Sequence, residues 1–244
     1  MHRRDFLKTM LLAAPAVILA GPPKSWAARL FVRASGQYLE ISSAVVTATP
    51  FSMSIWGYPV SLGIAQGLMG VGQNGDANHS LFVENNNFLL ARTRSNTSVI
   101  SSAQQNVQVT INTWMHVGGV WASDSSRELY KNGVSVATNT TTATVTGMNL
   151  SRIGAEMISA VKWDGRLAHA AIWANTALNP GEMAALASGA PVFKIRPSAV
   201  VAYVPIWGQN APEIDVAAAR AWPFIGTGTP AEAPGPPVGL WRTY

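Results

Sequence analysis

From Ala28 onward the sequence is cut by glycine, asparagine, serine and proline into many short runs in which valine, isoleucine, threonine, tryptophan and phenylalanine concentrate. Runs of that length and composition suit strands, so the pattern predicts an all-β chain. Phe51-Ser-Met-Ser-Ile-Trp56 alternates apolar with small polar residues, which places Phe51, Met53 and Ile55 on one face and Trp56 on the other. Further strands are expected at 30–33, 38–42, 68–73, 80–84, 88–93, 107–111, 114–121, 128–131, 134–138, 150–154 and 167–173. About a dozen strands suit a two-sheet antiparallel jelly-roll sandwich, and all-β chains of this length commonly fold as one unit.

Asn132-Gly133 stands between two such runs; both residues tolerate positive φ, which predicts a tight hairpin. The polar stretch 139–146 reads as a threonine-rich strand or loop on a solvated edge. One short helix is expected near residues 180–188. Asn179 can cap it, Pro180 suits its first position, Glu182 completes a capping box, and Met183, Leu186 and Ala187 form an apolar stripe ending at Gly189. Beyond Gly189, nine prolines from 191 to 237 exclude a regular helix and predict an irregular tail. Residues 199–205 can still add an edge strand, while Trp207, Trp222, Phe224 and Trp241 are expected to pin the tail to the sandwich.

The chain has no cysteine, which removes disulfides, thiolate chemistry and cysteine-bound zinc at once, so stability must come from packing. Apolar residues at 48% and charged ones at 12% give ample core material. The net charge of +5 suggests nucleic acid until it is located. Arg3, Arg4, Lys8, Lys24 and Asp5 carry three of those five charges within residues 1–27, and the remaining lysines and arginines are scattered, so no phosphate-tracking surface is expected. Those first 27 residues read as a signal peptide: a basic start, an apolar run from Met10 to Ala20 and a Ser25-Trp26-Ala27 cleavage pattern. The run is shorter than the roughly 20 residues that span a bilayer, so no membrane span is expected after its removal. Arg3-Arg4-Asp5-Phe6-Leu7-Lys8 resembles the bacterial twin-arginine motif, with His2 where Ser or Thr is usual, and implies export of a folded passenger to the periplasm, cell surface or medium.

Trp114-Met-His-Val117, Val120-Trp121 and Leu129-Tyr-Lys-Asn-Gly133-Val-Ser-Val136 resemble in order and spacing the central signature of laminin-G-like jelly rolls. Ile153-Gly154 and Trp163-Asp-Gly-Arg-Leu-Ala-His-Ala-Ala-Ile-Trp173, followed by Ala177-Leu178 and Glu182, are similar to that family's closing strand and helix. Gly36 to Ile41 and Phe51 to Trp56 resemble its opening strands. The resemblance implies concanavalin A-like lectin/glucanase architecture over residues 28–189, with 190–244 as an extension packed on the sandwich. Sugar, glycoprotein or protein binding are the common roles it implies. The family often holds calcium through acids that follow the glycine of the closing strand; here that place reads Ala168-His169-Ala170, so no metal site carries over. A structural Ca²⁺ would have to draw on Asp76, Glu84, Asp124 and Asp164, which share no recognised loop spacing.

A fold of this kind hosts many functions, so the site decides. Glucanase relatives carry Glu-x-Asp with a third acid on one strand; Glu213-Ile-Asp215 stands instead in the proline-rich tail, with alanines after it, and reads as a turn or cap. A lyase would need His79, Arg92 and Arg94 to converge, which nothing in their spacing requires. His116 and His169 read as structural histidines, and Trp56, Trp114, Trp121 and Trp173 as mostly core. A sugar site needs a ring to stack on beside amides and carboxylates, and the best sequence candidates are Trp163 and Asp164 on one loop with Asn85, Asn86 and Asn87 on another. The expectation is an exported, non-catalytic module for glycans or a protein partner. Two alternatives remain open: a structural protein assembling into a surface or virion-like particle as a homo-oligomer, and a divergent carbohydrate-active enzyme.

Overall fold

The structure is a computed structural model that describes residues 27–75, 77–157 and 161–237. The signal segment up to Trp26, Asp76 and Trp241 lie outside the described residues. In chain order the first strands are β1 (Ala27–Phe31), β2 (Tyr38–Ile41), β3 (Phe51–Pro59), β4 (Gln66–Gly72), β5 (Asn78–Val83), β6 (Leu89–Arg94) and β7 (Ile100–Gln104). Then come β8 (Met115–Ser123), β9 (Ser126–Lys131), β10 (Val134–Asn139), β11 (Leu150–Ile153), β12 (Gly165–Ala174) and the helix α1 (Pro180–Ala187). The tail supplies β13 (Val200–Val204), β14 (Glu213–Asp215), β15 (Arg220–Trp222), β16 (Phe224–Ile225) and β17 (Ala231–Pro234).

These strands form the two-sheet antiparallel jelly-roll sandwich that the short runs predict. One sheet runs β10-β9-β8-β3-β12-β1-β17. The first half of β12 pairs with β1 (Leu167 opposite Arg29), and its second half with β13 (Ala171 opposite Tyr203). The other sheet runs β16-β2-β11-β4-β5-β6-β7, and β14 and β15 form a separate hairpin. Between the sheets lie the inward positions: Phe51, Met53 and Ile55 of β3 face Leu81, Ala91 and Ile153, while Trp56 turns outward. Trp121 stacks on Phe51 with ring centres 4.9 Å apart and donates its indole N–H to Thr93 Oγ1 of the opposite sheet at 3.0 Å. Burial of the apolar face is therefore what selects this register, because a one-residue slip would turn Phe51, Met53 and Ile55 to solvent.

The hairpin turn has φ of 51° at Asn132 and 81° at Gly133, as the Asn-Gly pair requires. The helix has its full capping box: Asn179 Oδ1 accepts from Glu182 N and Glu182 Oε2 accepts from Asn179 N. Met183 and Leu186 are buried against the outer side of the first sheet. Gly118 makes room for the helix, since a Cβ there would stand 2.6 Å from Met183 Sδ.

Three expectations are corrected. Residues 107–111 are not a strand: Val107 and Ile111 are exposed, and only Val109 plugs inward. The edge of β6 is taken by Ile100–Gln104 instead, whose serines and glutamine hide a strand's signature. Glu213-Ile-Asp215 is a strand, not a turn, and both acids are buried. The tail, finally, is woven in: β13 and β17 pair in the first sheet and β16 in the second. Trp222 is buried in the main core, Phe224 packs partly buried against it, and Trp207 is half-buried. β1 begins at Ala27, the residue at which the signal segment is read to end, with Ala27 opposite Pro234.

Candidate ligand-binding surface

The residues singled out in the sequence converge on one rim, but not as a binding pair. Trp163 is fully buried. Gly57 of β3 leaves a gap between the sheets, where a Cβ would lie 3.2 Å from Trp163 Cζ2, and the indole fills it, its N–H pointing at Arg166 O at 3.3 Å. Its ring faces are thus in the core and offer no platform to a sugar. Asp164 is half-buried and structural: Oδ1 accepts from Arg33 N at 3.2 Å, and its backbone N–H donates to Gln66 Oε1 at 2.9 Å. Asn85, Asn86 and Asn87 form the β5–β6 turn, with Asn87 at φ 68°. Asn86 Oδ1 accepts from Phe88 N, and Asn87 Oδ1 accepts from Gly63 N. Asn85 is exposed. The loop 60–65 ties the two places together, because Val60 N donates to Asp164 O and Gly63 N to Asn87.

On the outer side of the first sheet at this same rim lies a group of rings that the sequence reading assigned to the core or passed over. Continuing the alternation of β3 one step past Trp56 brings Tyr58 outward, half-exposed. Trp114, just before β8, is also half-exposed, and its ring centre lies 5.5 Å from that of Tyr58 with the planes tilted by 57°. The Arg166 guanidinium stands 4.5 Å over the Tyr58 ring, because Tyr58 and Arg166 are directly opposite in the β3–β12 pairing. Asn112 is exposed at its edge, held by Asn112 N donating to Pro59 O at 2.8 Å. Apolar ring faces beside fixed polar groups are what a sugar's C–H face and hydroxyls require. The signal available in the sequence was the unbroken alternation from Phe51 to Tyr58.

At the other end of β6 a shallow cavity of about 350 Å³ opens between the turn 95–99 and the segment 142–146. Asparagine, serine and threonine line it, but its polar groups bind its walls to each other: Asn96 Oδ1 accepts from Thr146 N at 2.8 Å, and Thr144 Oγ1 donates to Asp124 Oδ2 at 2.6 Å. No ring lines it.

The histidines and acids are committed to contacts within the fold. Burial pushes His79, His116 and His169 down to about 3, so they are neutral at physiological pH. His116 Nε2 meets Ser54 Oγ at 2.8 Å, His169 Nδ1 meets Tyr203 Oη at 2.9 Å, and His79 sits against Phe51 and Trp121 in the core. Arg92 and Arg94 point to the outer side of the second sheet, away from His79, so that trio does not converge. Glu213 pairs with Arg29 at 3.1 Å, Glu156 with Arg92, Glu40 with Arg152 at 2.7 Å, Asp215 with Arg220 at 3.1 Å and Glu182 with Arg196. Burial pushes Glu213 up and Arg29 down, each partly offset by the attraction of the other. Glu84, Asp124 and Asp164 each hold a local contact of their own, and among the described residues no three His, Asp or Glu side chains gather as a metal site.

A family described as the concanavalin A-like lectin/glucanases superfamily matches residues 33–184. No curated protein matches the chain. Among solved structures, a putative carbohydrate binding protein from Bacteroides ovatus superposes with a TM-score of 0.63 at 13% identity, over 90% of this chain and 63% of its own. A native heptameric SAP-like pentraxin from Limulus polyphemus gives 0.58 at 14% identity, over 82% and 95%. Domain 4 of AbnA, a GH43 extracellular arabinanase from Geobacillus stearothermophilus, in complex with arabinotriose, gives 0.53 at 20% identity, over 66% and 76%. At these identities the likeness is one of fold.

Proposed function

The chain belongs to the concanavalin A-like lectin/glucanases superfamily, and from that premise we propose that it is an exported, non-catalytic module that binds glycans through the Tyr58–Trp114 face. The observation that carries the reading is this half-exposed ring pair at a rim whose loops supply fixed amides. A non-catalytic role is supported by the state of the acids. Glycoside hydrolysis needs two carboxyl groups facing each other across the scissile bond. Every aspartate and glutamate among the described residues instead accepts a hydrogen bond or ion pair from its own chain. Export is supported by the twin-arginine-like start and the apolar run after it.

The test is a glycan panel probed with the wild-type protein and with Tyr58→Ala and Trp114→Ala, with reducing ends assayed in parallel. Binding that falls about tenfold in either variant, without new reducing ends, is the expected result. Cleavage products would overturn the non-catalytic reading, and full binding by both variants would overturn the choice of face. A second reading, assembly with another protein or a second copy, is favoured by one observation. Among the described residues β10 pairs with β9 alone and leaves Val134 64% exposed at the sheet edge, which can accept a further strand. Concentration-dependent light scattering with no glycan bound would favour it.

A further inference from the structure

Four stacked guanidiniums distinguish themselves by what neutralises them. Arg29 lies 4.1 Å over Phe224, Arg92 4.3 Å over Phe82 and Arg152 5.2 Å from the centre of Tyr38, but Arg29 is paired with Glu213, Arg92 with Glu156 and Arg152 with Glu40. Arg166 lies over Tyr58 in the same manner and has no acid within ion-pair distance among the described residues. Its register neighbours on either side are Leu30 and Tyr58, neither of which can take its charge. The nearest acid in sequence, Asp164, is turned to Arg33 N, and Glu232 of β17 is held by Gln209 Nε2 at 2.7 Å. Arg166 is half-exposed, and it stacks on Tyr58, the ring whose centre lies 5.5 Å from that of Trp114. A planar, permanently charged fork of donors held on one member of a ring pair is suited to a ligand that has an apolar ring face and an anion on the same unit.

We infer that the ligand of this face is an acidic sugar, one bearing a carboxylate or a sulfate, with Arg166 as the residue that recognises the anion. The inference rests on the glycan reading above and names its substrate class. Tyr58 and Trp114 take the C–H face of the sugar ring, and the guanidinium donates two parallel N–H bonds to the anion at the ring's edge. Screening by salt weakens such a contact while leaving ring stacking nearly unchanged.

Isothermal titration of the full chain against three polymers tests this: polygalacturonate, the same polymer after chemical reduction of its carboxyl groups, and a sulfated galactan. Binding to polygalacturonate or to the sulfated galactan, at least tenfold tighter than to the reduced polymer and weakened by raising salt, is expected; the tighter of the two anionic polymers identifies the anion. Arg166→Gln should lose that preference while keeping its wild-type melting temperature, and Arg94→Gln, a surface arginine without an ion pair on the other sheet, should keep it. Equal affinity for the charged and reduced polymers, or an Arg166→Gln variant with unchanged preference, overturns the anionic ligand and leaves the glycan reading standing. Loss of the preference in Arg94→Gln would also overturn the assignment to Arg166. No binding to any of the three, together with a blank neutral glycan panel, overturns the glycan reading itself.

Discussion

The gap that Gly57 leaves between the sheets is filled by Trp163 together with Leu68, and the indole is fully buried, so its energetic role is packing. Trp163→Ala should cost about 3–5 kcal/mol and lower the melting temperature by roughly 10 °C, as large-to-small changes in a well-packed core do. A variant that melts like wild type but binds glycan more weakly would reverse this assignment. The buried histidines give stability a direction in pH. In the unfolded chain each takes up a proton near 6.5, whereas in the fold each stays neutral down to about 3. The unfolded state therefore binds more protons throughout that window, and the histidines' contribution, complete above about pH 6.5, is lost progressively as pH falls toward 3. Melting temperature should decline from pH 7 to pH 4, and His116→Gln should flatten the decline; a flat wild-type profile would contradict it. Residue types told which side chains would be rings and acids, but exposure was not legible from them. In the sequence Trp114 reads as a strand residue and mostly core, Trp163 as a loop residue free to meet a ligand, whereas the structure half-exposes the first and buries the second beside Gly57.

Elements were readable where a local rule fixes them. The helix α1 follows from Asn179, Pro180 and Glu182 alone, and Asn179→Ala should cost about 1 kcal/mol by removing the acceptor for Glu182 N. Urea titration checks this: the midpoint should shift down with an unchanged slope, and no shift would mean that tertiary contacts with Gly118 and Tyr130 hold the helix without its cap. The β9–β10 hairpin was equally plain from Asn132-Gly133. β7 was not, because Ile100-Ser-Ser-Ala-Gln104 contains only one β-branched apolar residue and is a strand for a non-local reason, the free edge of β6. The run 107–111 carried the stronger local signal and lost, since β-propensity records fit to a pleated neighbour and no neighbour is there. The same logic hides the recognition face: Tyr58, Arg166 and Leu30 are distant in sequence and become a row only through the β3–β12–β1 register.

At the scale of the molecule the proline-rich tail is a structural member of the sandwich, held from beneath by a buried ion pair. Arg29 of β1 and Glu213 of β14 are both essentially without solvent contact, 3.1 Å apart, and Arg29 also lies 4.1 Å over Phe224 and donates to Asn210 O. Glu213 Oε1 takes a further bond from Gly208 N, so one carboxylate fixes both the first strand and the turn that follows β13 in the tail. Burying two charges is expensive, and their mutual attraction only about offsets it; removing one partner is what costs. Glu213→Ala should therefore destabilise by about 3–5 kcal/mol, while the double change Arg29→Met with Glu213→Leu should recover most of that loss, read by urea unfolding of all three proteins. If the single variant is neutral, the tail is merely laid on the surface, and a chain ending at Gly189 should fold by itself. With the pair in place it should not, because ending there strips β13 from β12, β17 from β1 and β16 from β2, leaving strand edges in both sheets unpaired and the Trp222 site in the core open. The recognition face depends on this arrangement as well: Arg166 sits on β12 between β3 and β1, and β17 pairs with the far side of β1, so loosening the tail should weaken ligand binding in proportion to the lost stability.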